Sequence, residues 1–198
     1  MSFGWGPGGR TLWKDLCMSF FLLTKSCEMF AESGNPIHPT YRLRRSDVAF
    51  YQGQAQLSRN SWGNADRVEI RFRAAKSDQS RKGAVVTRLR TGAPRSFRRR
   101  GGAVALVAEI LLDTSSFPSD APFMAYGETD GKMLVWNRDE AVIALRKMVV
   151  LAGLPPAEFA LHSLRTGGIT HSSAAEVPPE VLQKEGRWRS NAYKNYVR

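Results

Sequence analysis

The sequence predicts an α+β protein, mainly helical, with a small antiparallel β-sheet inserted after the first helix. Three observations carry this reading. Apolar residues recur at Leu12, Leu16, Phe20, Leu23 and Cys27, which is helical spacing. Two later segments instead alternate with a period of two. From residue 103 onward the pattern returns to helical spacing in most segments.

Residues 1–10 are Gly-rich and are expected to be disordered, and 11–31 form the first helix until the breaker SGNPIHPT. Residues 47–57 read as a strand that turns at Gly53. In 67–75, Val68, Ile70 and Phe72 alternate with Glu69, Arg71 and Arg73, giving one apolar and one charged face. KSDQSRKG is a turn, 84–90 is the partner strand, and TGAPRSFRRRGG is a loop. Helices follow over 103–112, 138–153, 163–175, 179–185 and 190–197, with PSDAPFMAY as loop or short extended chain. Pro178 and Pro179 suit a helix start.

At 198 residues, with 42% hydrophobic content, the chain has the material for one packed domain. This composition excludes an intrinsically disordered protein. The net charge of +11 is concentrated. Residues 67–100 hold twelve Arg or Lys against Glu69 and Asp78, a local +10, while 1–66 give +2 and 101–198 give −1. Such a segment suits a polyanion. Arg44, Arg45, Arg71, Arg73, Arg81 and Lys82 are the candidate contacts to a nucleic-acid backbone. Cys17 and Cys27 form neither a disulfide framework nor a zinc set, and are expected to be buried thiols in a reducing compartment. The apolar run 16–23 is too short to span a bilayer, and no signal peptide is evident. An intracellular, non-secreted protein with no membrane partner is expected.

The last part of the chain carries the chemistry. His162 and Arg165, three residues apart at a helix start, can share one face. An imidazole can move a proton, and a guanidinium can fork onto two phosphate oxygens. A Pro-marked helical hairpin can return Trp188 toward Arg165, and a further helix then presents Tyr196. A phenol can attack a phosphodiester and hold the phosphoryl group covalently. Tyr193, one turn earlier, is the competing nucleophile.

In this order the stretch LHSLRTGGITHSSAAEVPPEVLQKEGRWRSNAYKNYVR resembles the catalytic block of the tyrosine recombinases, the phage-integrase family. That pattern has HxxR at a helix start, Gly then His or Trp after the next helix, and a Tyr about nine residues on. Trp188 in the His-or-Trp place and Tyr196 within NYVR resemble the Cre-like branch. The resemblance implies a tyrosine-recombinase catalytic-domain-like core over 11–198. In it Tyr196 is the nucleophile, and Arg165, His162 and Trp188 hold the phosphate. A β-hairpin lysine, Lys76 before Lys82, would act as the acid for the departing 5′ oxygen. It further implies double-stranded DNA as partner, self-association on DNA in a tetrameric synapse, and location with DNA, nuclear in a eukaryote or cytoplasmic in a bacterium. No cofactor or metal is needed. An N-terminal DNA-clamping domain is expected to be absent.

The pattern also has an arginine three residues before an acid near the end of an early helix. Glu28 matches the acid, but Lys25 stands where the arginine would be, and a shifted alignment puts Thr24 there. Lysine keeps the charge without the bidentate fork. Two alternatives to an active recombinase therefore stand: a catalytically impaired DNA-binding remnant, and a basic RNA-binding protein.

Overall fold

The computed structural model describes residues 7–31, 42–73, 83–90, 102–127, 130–188 and 190–196. Among the described residues, six helices, α1 (Pro7–Phe21), α2 (Ser26–Met29), α3 (Gly102–Asp113), α4 (Arg138–Leu151), α5 (Leu161–Ala174) and α6 (Pro179–Glu185), accompany two antiparallel sheets. The larger sheet comprises β1 (Val48–Gln52), β2 (Ala55–Gln56), β3 (Arg67–Phe72) and β4 (Ala84–Leu89) in the order β2-β1-β3-β4. The fold class predicted from the sequence is the one observed: a helical core with a small sheet inserted after its first helical segment.

The alternation in β3 sorts its residues as expected. Val68, Ile70 and Phe72 are buried beside Phe50 of β1 and Val86 of β4. Ala49 pairs with Glu69, and Val85 with Arg71, on the opposite face. There Arg67 lies 4.3 Å from the centroid of the Tyr51 ring. The tip of this hairpin, including Lys76, Arg81 and Lys82, falls outside the described residues.

Helix α1 departs from expectation at both ends. It already includes residues 7–10, predicted disordered. Pro7 suits the first helical turn, and the Gly8 carbonyl accepts a hydrogen bond from Trp136 Nε1 at 3.3 Å. Trp136 in turn stacks on Tyr126, in a second hairpin of β5 (Ala125–Gly127) and β6 (Met133–Val135). The expectation of loop or short extended chain over 118–126 reaches β5 but not β6. At the other end the helix stops at Phe21 instead of reaching residue 31. Leu23 takes a left-handed backbone, φ +50°, and the Thr24 amide reaches back to the Ser19 carbonyl at 3.2 Å. This is the Schellman closure, with leucine where glycine is usual. Periodicity cannot reveal it, because Leu23 and Cys27 keep the helical spacing across the break. Residues 191–196 form a 3-10 helix (Asn191–Tyr196) where an α-helix was expected. A further 3-10 segment at Arg59–Asn64 was not foreseen. Cys17 and Cys27 are half-buried, less enclosed than predicted, and form no disulfide.

Helix α1 is the centre of the helical layer, packed against α3 and α5. Leu12, Leu16 and Met18 are buried in the main core with Val104, Val107 and Ile110 of α3. Among them sits Asp15, fully buried, with neither carboxylate oxygen hydrogen-bonded. Burial raises its pKa well above the ordinary 3.8, against the pull of Lys14. The folded state therefore holds this proton at pH values where the unfolded chain has lost it. Native stability falls as pH rises from about 4 toward the folded pKa. Asp15→Asn removes the titration. Denaturant unfolding across pH 4–8 is expected to show a flatter pH dependence than wild type, with the gain in midpoint largest at the alkaline end.

Candidate active site

The first turn of α5 presents both members of the HxxR pair. The Ala160 amide donates to Ser163 Oγ at 3.1 Å, which fixes the helix start. His162 points to the exposed side, whereas Arg165, 3% exposed, turns inward. The guanidinium of Arg165 donates to the Leu23 carbonyl through one terminal nitrogen and to the Gly186 carbonyl through the other. Its plane lies against the Trp188 ring, Cζ 4.0 Å from the ring centroid.

The close approach of these elements explains the glycines around them. A Cβ at Gly168 would lie 2.4 Å from the Phe20 carbonyl, so α5 can cross the end of α1 this closely only without a side chain there. A Cβ at Gly186 would overlap the Trp188 ring, 1.5 Å from its Cζ3. The glycine two residues before Trp188 thus lets the indole fold back over its own chain and reach Arg165.

The terminal 3-10 helix completes the group. Its Tyr196 carbonyl accepts from Thr170 Oγ1 of α5 at 2.9 Å. The Tyr196 ring lies 5.1 Å from the His162 ring and 5.2 Å from the Trp188 ring, centroid to centroid. His162, Tyr196, Trp188 and Arg165 therefore form one continuous row of contacts. Tyr193, 6% exposed, is buried with Leu23, Ile169 and Leu182 in a small second core against which Trp188 and Tyr196 also pack, its ring 6.4 Å from that of Trp188.

Lys25 and Glu28 join the same neighbourhood from the segment after α1. Lys25 is the N-cap of α2, and its amide donates to Glu28 Oε2 at 2.7 Å. Its ammonium pKa is lowered, first by desolvation and then by Arg165 and Arg187, against the pull of Glu28. Thr24, the alternative from a shifted alignment, is buried, with its hydroxyl unpaired. Glu28 is 1% exposed, and its cationic partner is Arg187, at 2.6 Å from Oε2. Sequence reasoning passed over Arg187 and also over Arg88, which donates to the Phe21 carbonyl at 3.1 Å and to Glu185 at 2.9 Å. Nothing in spacing or composition distinguishes either from a surface arginine. The one local signal is that Arg187 directly precedes Trp188.

Of the candidate backbone contacts, Arg71 is exposed on the outer face of β3. Arg73 pairs with Asp47 at 2.7 Å. Arg45 is engaged inside the fold, on Thr114 Oγ1 and the Leu111 carbonyl at the end of α3. Arg44 is half-buried and starts the turn closed by Asp47, its amide donating to Asp47 Oδ2 at 2.9 Å. Among the described residues no cluster of His, Cys, Asp or Glu is arranged to hold a metal ion, and no helix is long and apolar enough to cross a membrane.

The electrostatics of the site follow from burial. Desolvation and the neighbouring Arg187 bring Arg165 down to about 10, so it remains charged at neutral pH. His162 is lowered by desolvation and by Arg165, which favours the neutral imidazole.

The fold has a counterpart among solved structures. The chain is similar to the XerH site-specific recombinase bound to difH substrate in a pre-cleavage complex, with a TM-score of 0.60 and 13% identity over 98% of this chain. It spans 44% of that chain's length. At this identity the likeness establishes the fold, that of a recombinase catalytic domain. No family model and no curated protein matches the sequence.

An NMR titration is expected to place the His162 imidazole below its ordinary 6.5, and Arg165→Met to raise it only part of the way, since desolvation is the larger cause. Because the folded pKa is the lower one, the corresponding part of native stability is lost as pH falls below about 6.5.

Proposed function

We propose that the chain is a DNA strand-exchange domain that cleaves and rejoins DNA through a 3′-phosphotyrosyl intermediate on Tyr196. The observation that carries the reading is the unbroken row His162–Tyr196–Trp188–Arg165, backed by Lys25 and Arg187 around a single carboxylate. A nucleophile, a neutral base and an excess of buried positive charge meet at one place. That combination suits a phosphodiester.

In the proposed step the Tyr196 oxygen forms a bond to phosphorus as the bond to the 5′ oxygen breaks. The phenol proton passes to neutral His162, and the departing oxygen takes a proton from a cationic acid, for which Lys76 on the hairpin is the candidate. Attack by a 5′ hydroxyl on the phosphotyrosine reverses the sequence, so the bond energy is conserved without a nucleotide cofactor. Arg165, with two of its N–H groups on backbone carbonyls, keeps the rest of its five donors for phosphate oxygens. Its charge would stabilise the pentacovalent transition state, a role whose loss costs about 10²–10³ in rate. The basic segment 67–100 would track the duplex backbone, and Trp188 in the Cre-like position packs beside the nucleophile. Self-association on DNA and location with the host's DNA follow from the same reading.

A second reading, a DNA-binding copy with impaired chemistry, is favoured by Lys25 in the place of an arginine. A pool of randomised, singly nicked duplexes separates the two. The active domain is expected to leave a DNA adduct stable to denaturant, with the modified peptide containing Tyr196. Tyr196→Phe should abolish the adduct and Tyr193→Phe should leave it. Salt-sensitive DNA binding with no adduct from wild type would instead select the impaired copy.

A further inference from the structure

We propose that Arg187 is a positioning residue of the site: it fixes the chain end of α1 on which the Arg165 guanidinium is seated. The proposal deepens the functional reading above and rests on it only for its catalytic consequence.

Arg187 is built into the interior. Its side chain is 6% exposed, and its guanidinium lies 3.9 Å from the centroid of the Phe72 ring on the inner face of β3. One terminal nitrogen donates to the Leu22 carbonyl at 3.3 Å, and the other to the Leu23 carbonyl at 3.3 Å and to Glu28 at 2.6 Å. The Leu23 carbonyl is shared, since Arg165 also donates to it. The second carbonyl bound by Arg165 is that of Gly186, the residue before Arg187. Each arginine is thus tied to the backbone that the other holds. Arg187 achieves this from a left-handed backbone, φ +60°, a conformation rare for a residue with a side chain. Such strain persists only where surrounding contacts over-determine it, as the ring stack, the ion pair and the two carbonyls do here.

The two guanidiniums repel one another, and each is also disfavoured by burial. Glu28 offsets both effects, and its own place depends on Arg187 and the Lys25 amide. Without Arg187, the Leu22–Leu23 turn loses two donors and Glu28 loses its partner. The Arg165 guanidinium would then shift relative to Trp188.

The test reads Arg165 directly. In the folded protein the Trp188 ring current should move the Arg165 side-chain NMR signals upfield. In Arg187→Lys, which keeps charge but not the fork, the signals are expected to move most of the way back toward those of a solvated arginine. Glu28→Gln, which removes the charge anchoring Arg187, should do the same in part. Both variants should retain dispersed amide spectra. On nicked duplex, adduct formation by Arg187→Lys should slow about 10- to 100-fold, with DNA affinity within about twofold of wild type, since backbone contacts elsewhere supply it. Unmoved Arg165 signals in a folded Arg187→Lys protein would overturn the proposal, whatever the rate. A wild-type protein that forms no adduct would overturn the recombinase reading alone, and the NMR arm would still decide the role of Arg187.

Discussion

Three arginines from distant parts of the chain converge on the carboxyl end of one helix. Arg88 from β4 binds the Phe21 carbonyl, Arg187 binds those of Leu22 and Leu23, and Arg165 from α5 shares that of Leu23. The last carbonyls of a helix lack partners within it, and the helix dipole makes that end negative. Guanidiniums answer both needs. The sheet, the HxxR helix and the turn before Trp188 are therefore held to a common point, and the relative places of the site residues follow from it. The left-handed turn at Leu23 exposes these carbonyls by ending the helix in the interior instead of at the surface.

Close packing makes this meeting possible. Gly168 admits the Phe20 carbonyl, and Gly186 admits the Trp188 ring. Leu23, at its strained position, packs with Ile169, Leu182 and Tyr193, so the small second core supports the turn from below while the arginines hold it from the sides. Tyr193 and Tyr196 divide their labour through this geometry. One fills that core, and the other lies between the His162 and Trp188 rings.

The sequence makes the sheet legible because its strands have one wet face and one dry face, a difference that alternation records directly. The row of His162, Arg165, Trp188 and Tyr196 is legible because these residue types, in this order, resemble a known pattern. The end of α1 is hidden. Leu23 and Cys27 continue the helical period through a break that tertiary carbonyl contacts stabilise, and periodicity carries no information about such contacts. Arg187 and Arg88 are hidden for a related reason. An arginine committed to buried carbonyls and one reaching into solvent have the same sequence signature, and among 29 basic residues these two differ from the rest only in their partners. Arg45, a candidate DNA contact by charge alone, donates to the Leu111 carbonyl at the end of α3.

The departure at Lys25 looks different once Arg187 is in view. Glu28 is met by a guanidinium after all, supplied from the turn before Trp188 instead of from its own segment. Lys25, Arg165 and Arg187 then share one carboxylate; burial holds each pKa below its ordinary value, and repulsion from neighbouring guanidiniums adds to the lowering at Lys25 and Arg165. Burying charge that is only partly neutralised destabilises the folded chain, and the helix-end carbonyls offset part of that cost. An anion brought beside this cluster would add negative charge, raise the affinity of these groups for their protons and offset the repulsion between them. The cluster is thus complementary to an anion.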